Sequence, residues 1–317
     1  MKSFKKLTGL GLLLSLAFIS CQKDFIIEEE PDPIDPPVTT NASNYLDKIY
    51  EIDSIAGVKD TTRKFVYEYD SRKRVSTLTA YIYGNNNNES IFEKYVYYYN
   101  ANDTLPFKKF HVDYEDVGEQ NNILLRDSTT TFYEYDIQGK NLYDSSVWLK
   151  HHLNGSSVES YTTIRVNRYQ YAGNAVYNNF TTVTDDLGWN YILVGRDSTL
   201  RDANGNVLSS KRYDINNGAN SLRRTATYTY DNKSSPFALL SNFRTLAVTP
   251  PGQTDYNEMQ EYNNRITSYE ITDDVTTYDI DLTGEFQYHA NGYPYRVVAD
   301  DDTPGYYAIY VFTYKSL

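Results

Sequence analysis

The chain has 317 residues, and its 42 acidic residues outnumber its 30 basic ones, which gives a formal net charge of −12. An acidic surface repels phosphate backbones and anionic headgroups, so this composition argues against a nucleic-acid partner. The only cysteine, Cys21, lies near the N-terminus, which leaves the rest of the chain without disulfides, a cysteine nucleophile or cysteine metal ligands.

The N-terminal segment has the features of a bacterial lipoprotein signal. A lysine-rich start precedes an apolar stretch, residues 7–19, that is too short to cross a bilayer as a helix. The stretch runs into Phe18-Ile19-Ser20-Cys21, which resembles a lipobox, the site at which a cysteine is acylated. We predict a signal peptide over residues 1–20 and lipidation of Cys21. The alternative is an ordinary signal peptide followed by a coincidental cysteine.

Residues 21–44 have the composition of a tether. Positions 28–37 are acidic and rich in proline, with almost nothing to bury. An acidic run soon after a lipidated cysteine resembles the signal that sends some lipoproteins to the outer face of the outer membrane; the alternative is a plain solvated spacer. We therefore predict a lipid-anchored outer-membrane protein that faces the cell exterior, with one folded domain over residues 45–317.

The folded part is organised around a short repeat, Tyr67-Glu68-Tyr69-Asp70. Clear copies are Tyr133-Glu134-Tyr135-Asp136 and Tyr228-Thr229-Tyr230-Asp231. Aromatic residues at alternate positions followed by a turn former indicate a strand that ends in a turn. The first predicted strand covers residues 65–70 and the last covers residues 306–314. The pattern predicts an all-β fold: an antiparallel meander of about sixteen strands, highly twisted and curled into an open or closed, soluble, barrel-like sheet.

The segments between the predicted strands carry explicit turn signals. Asp136 and Asp202 are each followed three residues later by glycine, which is the arrangement that a type I turn prefers, and His289 opens a similar turn. One stretch, residues 235–243, departs from the strand pattern. Its early proline and its apolar spacing predict a short helix that serves as a plug or crossover.

Polar side chains fall on both faces of the predicted strands. In residues 161–171, Arg165 and Asn167 share one face with the tyrosines, while Arg168 lies on the other face beside Ile164 and Val166. An arginine in the middle of a lipid-facing strand costs roughly 2–4 kcal/mol. The pattern therefore favours a soluble sheet over a lipid-facing barrel.

The repeats resemble those of known protein families. The Tyr-x-Tyr-Asp units with a following turn glycine are similar to repeats of the YD or Rhs type, which build long β-sheets. The lipobox, the acidic tether and the segment that runs from Tyr228 to Phe237 resemble a family of bacterial surface lipoproteins with a porin-like fold. This resemblance implies a twisted, barrel-like antiparallel sheet over most of residues 45–317 and supports a surface location. It implies no catalytic residues.

The tyrosines are the main candidates for ligand binding. The chain has 33 tyrosines but 13 phenylalanines, and tyrosine suits a half-buried sheet because its ring packs while its hydroxyl stays hydrated. Most of them are expected to form cross-strand pairs that hold the register. The alternative is that some line a concave face and stack on a glycan or peptide. The candidates for that role are Tyr69, Tyr99, Tyr135, Tyr171, Tyr230 and Tyr288.

Catalytic and metal-binding patterns are weak. His151 and His152 are adjacent, so on a strand they point to opposite faces and cannot share one metal. Asp300, Asp301 and Asp302 form a weak calcium candidate, because hard oxygen ligands suit that ion. No Gly-x-Ser-x-Gly sequence marks a nucleophilic serine. We predict no cofactor and no enzymatic activity. Asp197-Ser198-Thr199 also matches an O-glycosylation pattern of some bacteria.

The sequence thus predicts a surface-anchored lipoprotein that acts as a non-enzymatic binding or scaffold module for a glycan, peptide or protein. A structural partner of an outer-membrane protein in envelope assembly is the first alternative. A carbohydrate-active hydrolase is the second, since paired carboxylates are abundant. The membrane, through the lipid anchor, is the one partner that the sequence specifies; the oligomeric state stays open.

Overall fold

The computed structural model describes residues 44–55, 58–83, 89–116, 123–154, 157–186, 189–216, 219–240, 263–272, 275–281, 286–299 and 306–317. All of them belong to one compact unit, Val38–Leu317. The predicted signal peptide, Cys21, almost the whole tether and the calcium candidate Asp300–302 lie outside the described residues. No helix in the described part of the chain is long and apolar enough to cross a bilayer.

The described residues form seventeen strands and one short 3-10 helix. The strands are β1 (Asn44–Ile55), β2 (Val58–Tyr69), β3 (Val75–Tyr83), β4 (Glu89–Tyr98), β5 (Lys108–Asp116), β6 (Ile123–Tyr135), β7 (Asn141–Asn154), β8 (Ser157–Ala172), β9 (Ala175–Asp186), β10 (Trp189–Arg201), β11 (Val207–Asn216), β12 (Ala219–Ser234), β13 (Asn263–Thr272), β14 (Val275–Asp281), β15 (Phe286–Tyr288), β16 (Pro294–Ala299) and β17 (Tyr306–Ser316). The 3-10 helix is Pro236–Leu239.

The strands form one antiparallel meander that bends back on itself. Strands β1 to β14 pair in chain order, β15 pairs with β16, and β16 pairs with β17. The last strand returns to the first, with Ile52 of β1 opposite Ile309 of β17. Within the described ranges β14 and β15 do not pair with each other. The circular order of strands is therefore not closed by backbone hydrogen bonds at that point. The predicted all-β antiparallel meander is confirmed.

Strand β1 is absent from the sequence-based prediction, which began at residue 65. Its buried residues Leu46, Ile49 and Ile52 are spaced by three, a spacing that does not match the two-residue period of a strand. The structure accommodates this spacing with irregularities in the pairing. The β1–β17 register shifts after Leu46, and the β1–β2 register shifts before Ile52. Each shift moves the next apolar side chain back to the buried face.

An apolar core fills one side of the fold. It is formed by residues of β1 to β4, β16 and β17 together with the 3-10 helix, and its members are Leu46, Ile49, Phe65, Tyr67, Val75, Leu78, Ala80, Tyr95, Phe237, Leu240, Val297, Ala299, Ala308 and Phe312. Ser235 caps the 3-10 helix, because its side chain accepts a hydrogen bond from the Phe237 N–H. Up to Leu240, the helix predicted over residues 235–243 is thus present as one short turn whose Phe237 is buried in the core; positions 241–243 lie outside the described residues.

Candidate functional site

The tyrosines predicted to bind a ligand hold the ends of the hairpins together. Five of the six donate a hydrogen bond from the hydroxyl to a main-chain carbonyl close to the start of the preceding strand. The pairs are Tyr69 to Leu46 (2.7 Å), Tyr99 to Val75 (2.7 Å), Tyr135 to Pro106 (3.0 Å), Tyr171 to Asn141 (2.9 Å) and Tyr230 to Val207 (2.7 Å). Tyr288 donates to the Asp231 carboxylate instead. We call the first five the tyrosine caps.

Tyr314 of β17, which is not among the six predicted residues, makes the same kind of contact: its hydroxyl donates to the Pro294 carbonyl (2.6 Å). Sequence reasoning missed it because Lys315, and not a turn former, follows it. Burial raises the pKa of the Tyr171 hydroxyl to about 12, which keeps it protonated as a donor. A ligand-binding role for the tyrosine caps stays a prediction, and any such role has to leave these hydroxyl contacts in place.

Removing one cap hydroxyl is expected to destabilise the fold. Tyr135→Phe keeps the ring but leaves the Pro106 carbonyl without its donor, which costs about 1 kcal/mol of unfolding free energy. Urea unfolding followed by tyrosine fluorescence measures this loss. Tyr98→Phe is the matched control, because its ring is 40% exposed and should tolerate the change. Equal midpoints for the two variants would show that the cap contributes nothing.

Three aspartates shape the turns, and two of them, Asp70 and Asp136, follow the repeat tyrosines. Asp136 Oδ1 accepts hydrogen bonds from the N–H groups of Gln138 and Lys140, both at 2.8 Å. Asp202 and Asp70 likewise each accept hydrogen bonds from the N–H groups two and four residues further along the chain. A carboxylate committed to two main-chain donors stabilises a turn. The repeat aspartates Asp70 and Asp136 are therefore turn residues, and Asp202 has the same role outside the Tyr-x-Tyr-Asp repeat.

The fourth position of this turn is left-handed, and one copy places lysine there. Gly205 has φ +93° and an added Cβ would meet nothing within 4 Å, whereas Lys73 holds φ 63°. We expect Gly205→Ala to destabilise the fold by about 1–2 kcal/mol through backbone strain alone. Lys73→Gly removes the same strain, so it should leave the stability of the fold unchanged or raise it slightly. It does so although it also removes the hydrogen bond from Lys73 Nζ to the Leu317 carbonyl. Thermal melting of both variants tests this opposite response.

The other side of the fold has a polar interior. Asp144 of β7 accepts hydrogen bonds from Asn167 (2.6 Å) and Tyr169 (2.5 Å) of β8, and from Asn141 (3.3 Å). Asn178 of β9 donates to Asn167 (2.8 Å). We call this group, with the arginine cluster described next, the interior polar network. The hydrogen bonds that join Asp144, Asn167 and Asn178 connect neighbouring strands, which fixes the register of β7 to β9.

An arginine cluster continues the network across β8 to β11. Asp197 is fully buried, and its carboxylate accepts from Arg212 Nε (2.8 Å) and faces Arg165 (3.5 Å). The Arg165 guanidinium also lies 4.2 Å from the centroid of the buried Phe180 ring. Burial lowers the pKa of Arg165, and the Asp197 charge opposes that shift. The sequence did not point to this cluster, since Asp197 had been read as part of a glycosylation pattern.

These contacts decide what the interior carboxylates can do chemically. Asp144 and Asp197 receive donors on both oxygens, so neither is placed as a free acid or base. In the described part of the chain, no group of three or more His, Cys, Asp or Glu residues is arranged to hold a metal. His151 and His152 occupy successive positions on β7, opposite Ser160 and Glu159 of β8.

His111 of β5 is a pH-sensitive contact. Its ring stacks on Tyr95 with centroids 4.2 Å apart, and burial, aided by Lys109, lowers its pKa from 6.5 to about 4. The unfolded chain takes up a proton at higher pH than the folded one, so stability should fall as the pH drops from 6.5 towards 4. We expect His111→Phe to lose less stability over this window than the wild type. Unfolding midpoints at pH 7 and pH 4.5 give the comparison; identical losses would contradict it.

The outer face of β7 to β10 carries exposed aliphatic side chains. Val147 lies opposite Ile164, Ile164 opposite Val183, and Val183 opposite Ile192. Ile192 is 69% exposed, and Val147 and Ile164 are exposed as well. With Val194, we call these residues the outer patch. Contiguous aliphatic residues on an outer face are typical of a surface that contacts a partner. The sequence predicted that Arg165 and Asn167 lie on one face of β8, and Ile164 and Arg168 on the other. The structure confirms this, because Arg165 is half-buried and Asn167 is buried, whereas Ile164 and Arg168 are exposed.

The comparisons with known proteins end at fold level. No family profile and no curated protein matches the chain. The solved structures that resemble this chain include two porin-like proteins. A porin-like protein from Bacteroides vulgatus has a TM-score of 0.47 and 14% identity, with 86% of this chain and 100% of that chain covered. A porin-like protein from Bacteroides uniformis has a TM-score of 0.44 and 13% identity, with 85% and 98% covered.

Proposed function

We propose that this protein is a lipid-anchored outer-membrane lipoprotein that acts at the cell surface as a non-enzymatic binding module. The observation that carries the proposal is the outer patch, where aliphatic side chains of β7, β8 and β10 are exposed around the half-buried Val183 of β9. Burying a fully exposed aliphatic side chain is worth roughly 1.5–3 kcal/mol, and a partner that covers the patch recovers the share of this free energy that corresponds to the exposed fraction of each side chain. A protein or peptide surface fits this patch better than a glycan does, because the patch is aliphatic and not aromatic.

The interior supports a scaffold role. The interior polar network and the tyrosine caps together fix the strand register, so the patch is presented on a rigid sheet. Rigid presentation lowers the entropy cost of binding. The saturated carboxylates Asp144 and Asp197 favour this function over the alternative of a carbohydrate-active hydrolase.

Binding is tested with the mature chain carrying Cys21→Ala, screened against a glycan array and a library of extended peptides. We expect peptide binding that the double variant Ile164→Ser/Ile192→Ser weakens. Leu142→Ser, at an exposed position outside the patch, should leave binding unchanged. Binding to nothing in either panel would overturn the proposal.

The anchor and the location need a separate experiment. The wild-type chain should fractionate with the outer membrane and be digested when intact cells are treated with protease. Cys21→Ala should appear in the soluble fraction, because a lost acyl chain removes about 0.8 kcal/mol of membrane affinity per buried methylene. A protein that resists protease until the cells are lysed would instead favour the alternative of an envelope-assembly partner inside the membrane.

A further inference from the structure

A row of polar side chains borders the outer patch on the side of the β8–β9 turn. Arg168 of β8 lies opposite Asn179 of β9, and Asn179 lies opposite Arg196 of β10. Val194 of the outer patch is two residues from Arg196, and Ile164 is four residues from Arg168. No register shift interrupts the pairing of β8, β9 and β10, so these even separations place the five side chains on one face. We call Arg168 and Arg196 the outer arginine pair.

Neither guanidinium of the outer arginine pair faces a carboxylate within the described ranges. Arg196 donates from Nε to the Asn179 side-chain oxygen (2.9 Å), and the Arg168 guanidinium lies 5.7 Å from the centroid of the Tyr143 ring. Glu134 of β6 belongs to the same row, but Tyr143 stands between it and Arg168. Several other arginines do form ion pairs, namely Arg63, Arg74, Arg165, Arg212 and Arg223. The outer arginine pair is therefore available to an anion from another molecule.

The outer arginine pair brackets one position on the sheet surface. Two strand spacings separate the backbones of Arg168 and Arg196 by roughly 10 Å, a gap that two long side chains can close from either side. The Asn179 side-chain oxygen already accepts from Arg196, so the Asn179 amide N–H groups add donors between the two guanidiniums. A position that offers two positive charges and further donors selects an anion. The planar guanidinium matches a carboxylate or a phosphate.

The opposite border of the outer patch decides between these two anions. The residues of β9 on the outer face are Asn179, Thr181, Val183 and Asp185, and Asp185 is exposed. The outer patch thus has a positive border at Asn179 and a negative border at Asp185, roughly 20 Å away. An anionic bilayer surface would cover both borders and would be repelled at Asp185. A protein segment can place an opposite charge at each border, so the carboxylate of a protein is the better fit.

We propose that the outer patch binds an extended protein segment that has an acidic residue at one end of its apolar face and a basic residue at the other. The acidic residue lies between Arg168 and Arg196, and the basic residue lies beside Asp185. Alternate residues of an extended chain repeat at roughly 7 Å, which is also the spacing of the four rows that cross β9. The matching pattern is Glu-x-Val-x-Ile-x-Lys. This proposal rests on the binding function proposed above and names its ligand class.

Three peptides test the charge pattern of the ligand. We expect Glu-Thr-Val-Thr-Ile-Thr-Lys to bind the mature Cys21→Ala chain in a calorimetric titration. Gln-Thr-Val-Thr-Ile-Thr-Lys lacks the carboxylate and should bind about three- to tenfold more weakly. Val-Thr-Glu-Thr-Lys-Thr-Ile has the composition of the first peptide but places its charges over the apolar rows, so it should lose at least as much affinity. Equal affinity for all three peptides would overturn the proposal.

Reversing the charges of the protein gives the matching test. Arg168→Glu/Arg196→Glu should lose affinity for the glutamate peptide and gain affinity for Lys-Thr-Val-Thr-Ile-Thr-Lys. Lys59→Glu/Arg72→Glu is the matched control, because it changes the net charge equally at exposed positions outside the outer patch. This control should prefer the glutamate peptide, as the wild type does. The same change of preference in both variants would overturn the proposal. Circular dichroism checks folding; should Arg168→Glu/Arg196→Glu not fold, the glutamate and glutamine peptides decide on the wild type.

Two further outcomes separate this inference from the proposed function. If library peptides bind and Ile164→Ser/Ile192→Ser weakens them, but the glutamate and glutamine peptides bind equally, the binding function stands and the charge pattern proposed here is wrong. If no peptide binds, and vesicles of phosphatidylglycerol and phosphatidylcholine sediment the Cys21→Ala chain unless it also carries Arg168→Gln/Arg196→Gln, the outer arginine pair recognises lipid phosphate. In that case the peptide-binding function and this inference are both wrong.

Discussion

Asp197→Ala is expected to lower the free energy of unfolding by about 3 kcal/mol. Its carboxylate is fully buried and compensates two guanidiniums, Arg165 and Arg212. Removing one partner of a buried ion pair leaves the remaining charge uncompensated, which costs about 3–5 kcal/mol. We expect a loss at the lower end of this range because the Arg165 and Arg212 side chains are 20% and 26% exposed, so water screens part of their charge.

A surface ion pair in the same sheet supplies the control. Asp214 pairs with Arg223 at 3.2 Å, and the Arg223 side chain is 49% exposed. Asp214→Ala should cost less than about 1 kcal/mol. Urea midpoints with unchanged slopes measure both losses. If Asp197→Ala and Asp214→Ala are equally stable, the interior polar network does not hold the sheet together.

Gly195→Ala is expected to destabilise the fold by about 1–3 kcal/mol through overpacking. A Cβ at this position would lie 2.2 Å from Cζ of Phe180 and 2.8 Å from the Tyr213 carbonyl oxygen. The Phe180 ring cannot move away easily, because the Arg165 guanidinium lies 4.2 Å from its centroid on β8. The close approach of ring to backbone requires glycine here.

A double variant shows whether the ring causes this cost. Phe180→Leu on its own leaves a cavity and should destabilise the fold, but it also makes room for a methyl group at position 195. We expect Gly195→Ala/Phe180→Leu to be more stable than the sum of the two single losses predicts, by a coupling of about 1 kcal/mol. Strict additivity would assign the cost to the Tyr213 carbonyl alone.

The sequence predicted the fold class and the turns well, because both depend on local chemistry. An aromatic pair followed by Asp and, three residues later, Gly specifies a strand end and a turn without reference to the rest of the chain. Asp136 makes the main-chain contacts that this pattern requires, and Asp202 makes them in a turn that shares the Asp and Gly but lacks the aromatic pair. The turn role was thus accessible from sequence, down to individual residues.

The roles of the tyrosine caps and of the interior polar network were not accessible in this way. The Tyr135 hydroxyl reaches Pro106, a partner that only the strand pairing identifies. Asp197 meets Arg165 and Arg212 because the pairing of four consecutive strands, β8 to β11, brings them together, and nothing in their sequence spacing indicates it. Strand β1 was missed for a related reason, since register shifts that arise from pairing with β2 and β17 restore its buried face.

The central claim is that the tyrosine repeat builds the fold while the outer patch binds the partner. Screening the wild type, Tyr135→Phe and Ile164→Ser/Ile192→Ser in parallel against the library of extended peptides tests it most directly. The account predicts that Tyr135→Phe is less stable yet binds like the wild type, and that Ile164→Ser/Ile192→Ser folds but binds more weakly. Loss of binding in a folded Tyr135→Phe, with binding retained in Ile164→Ser/Ile192→Ser, would contradict it.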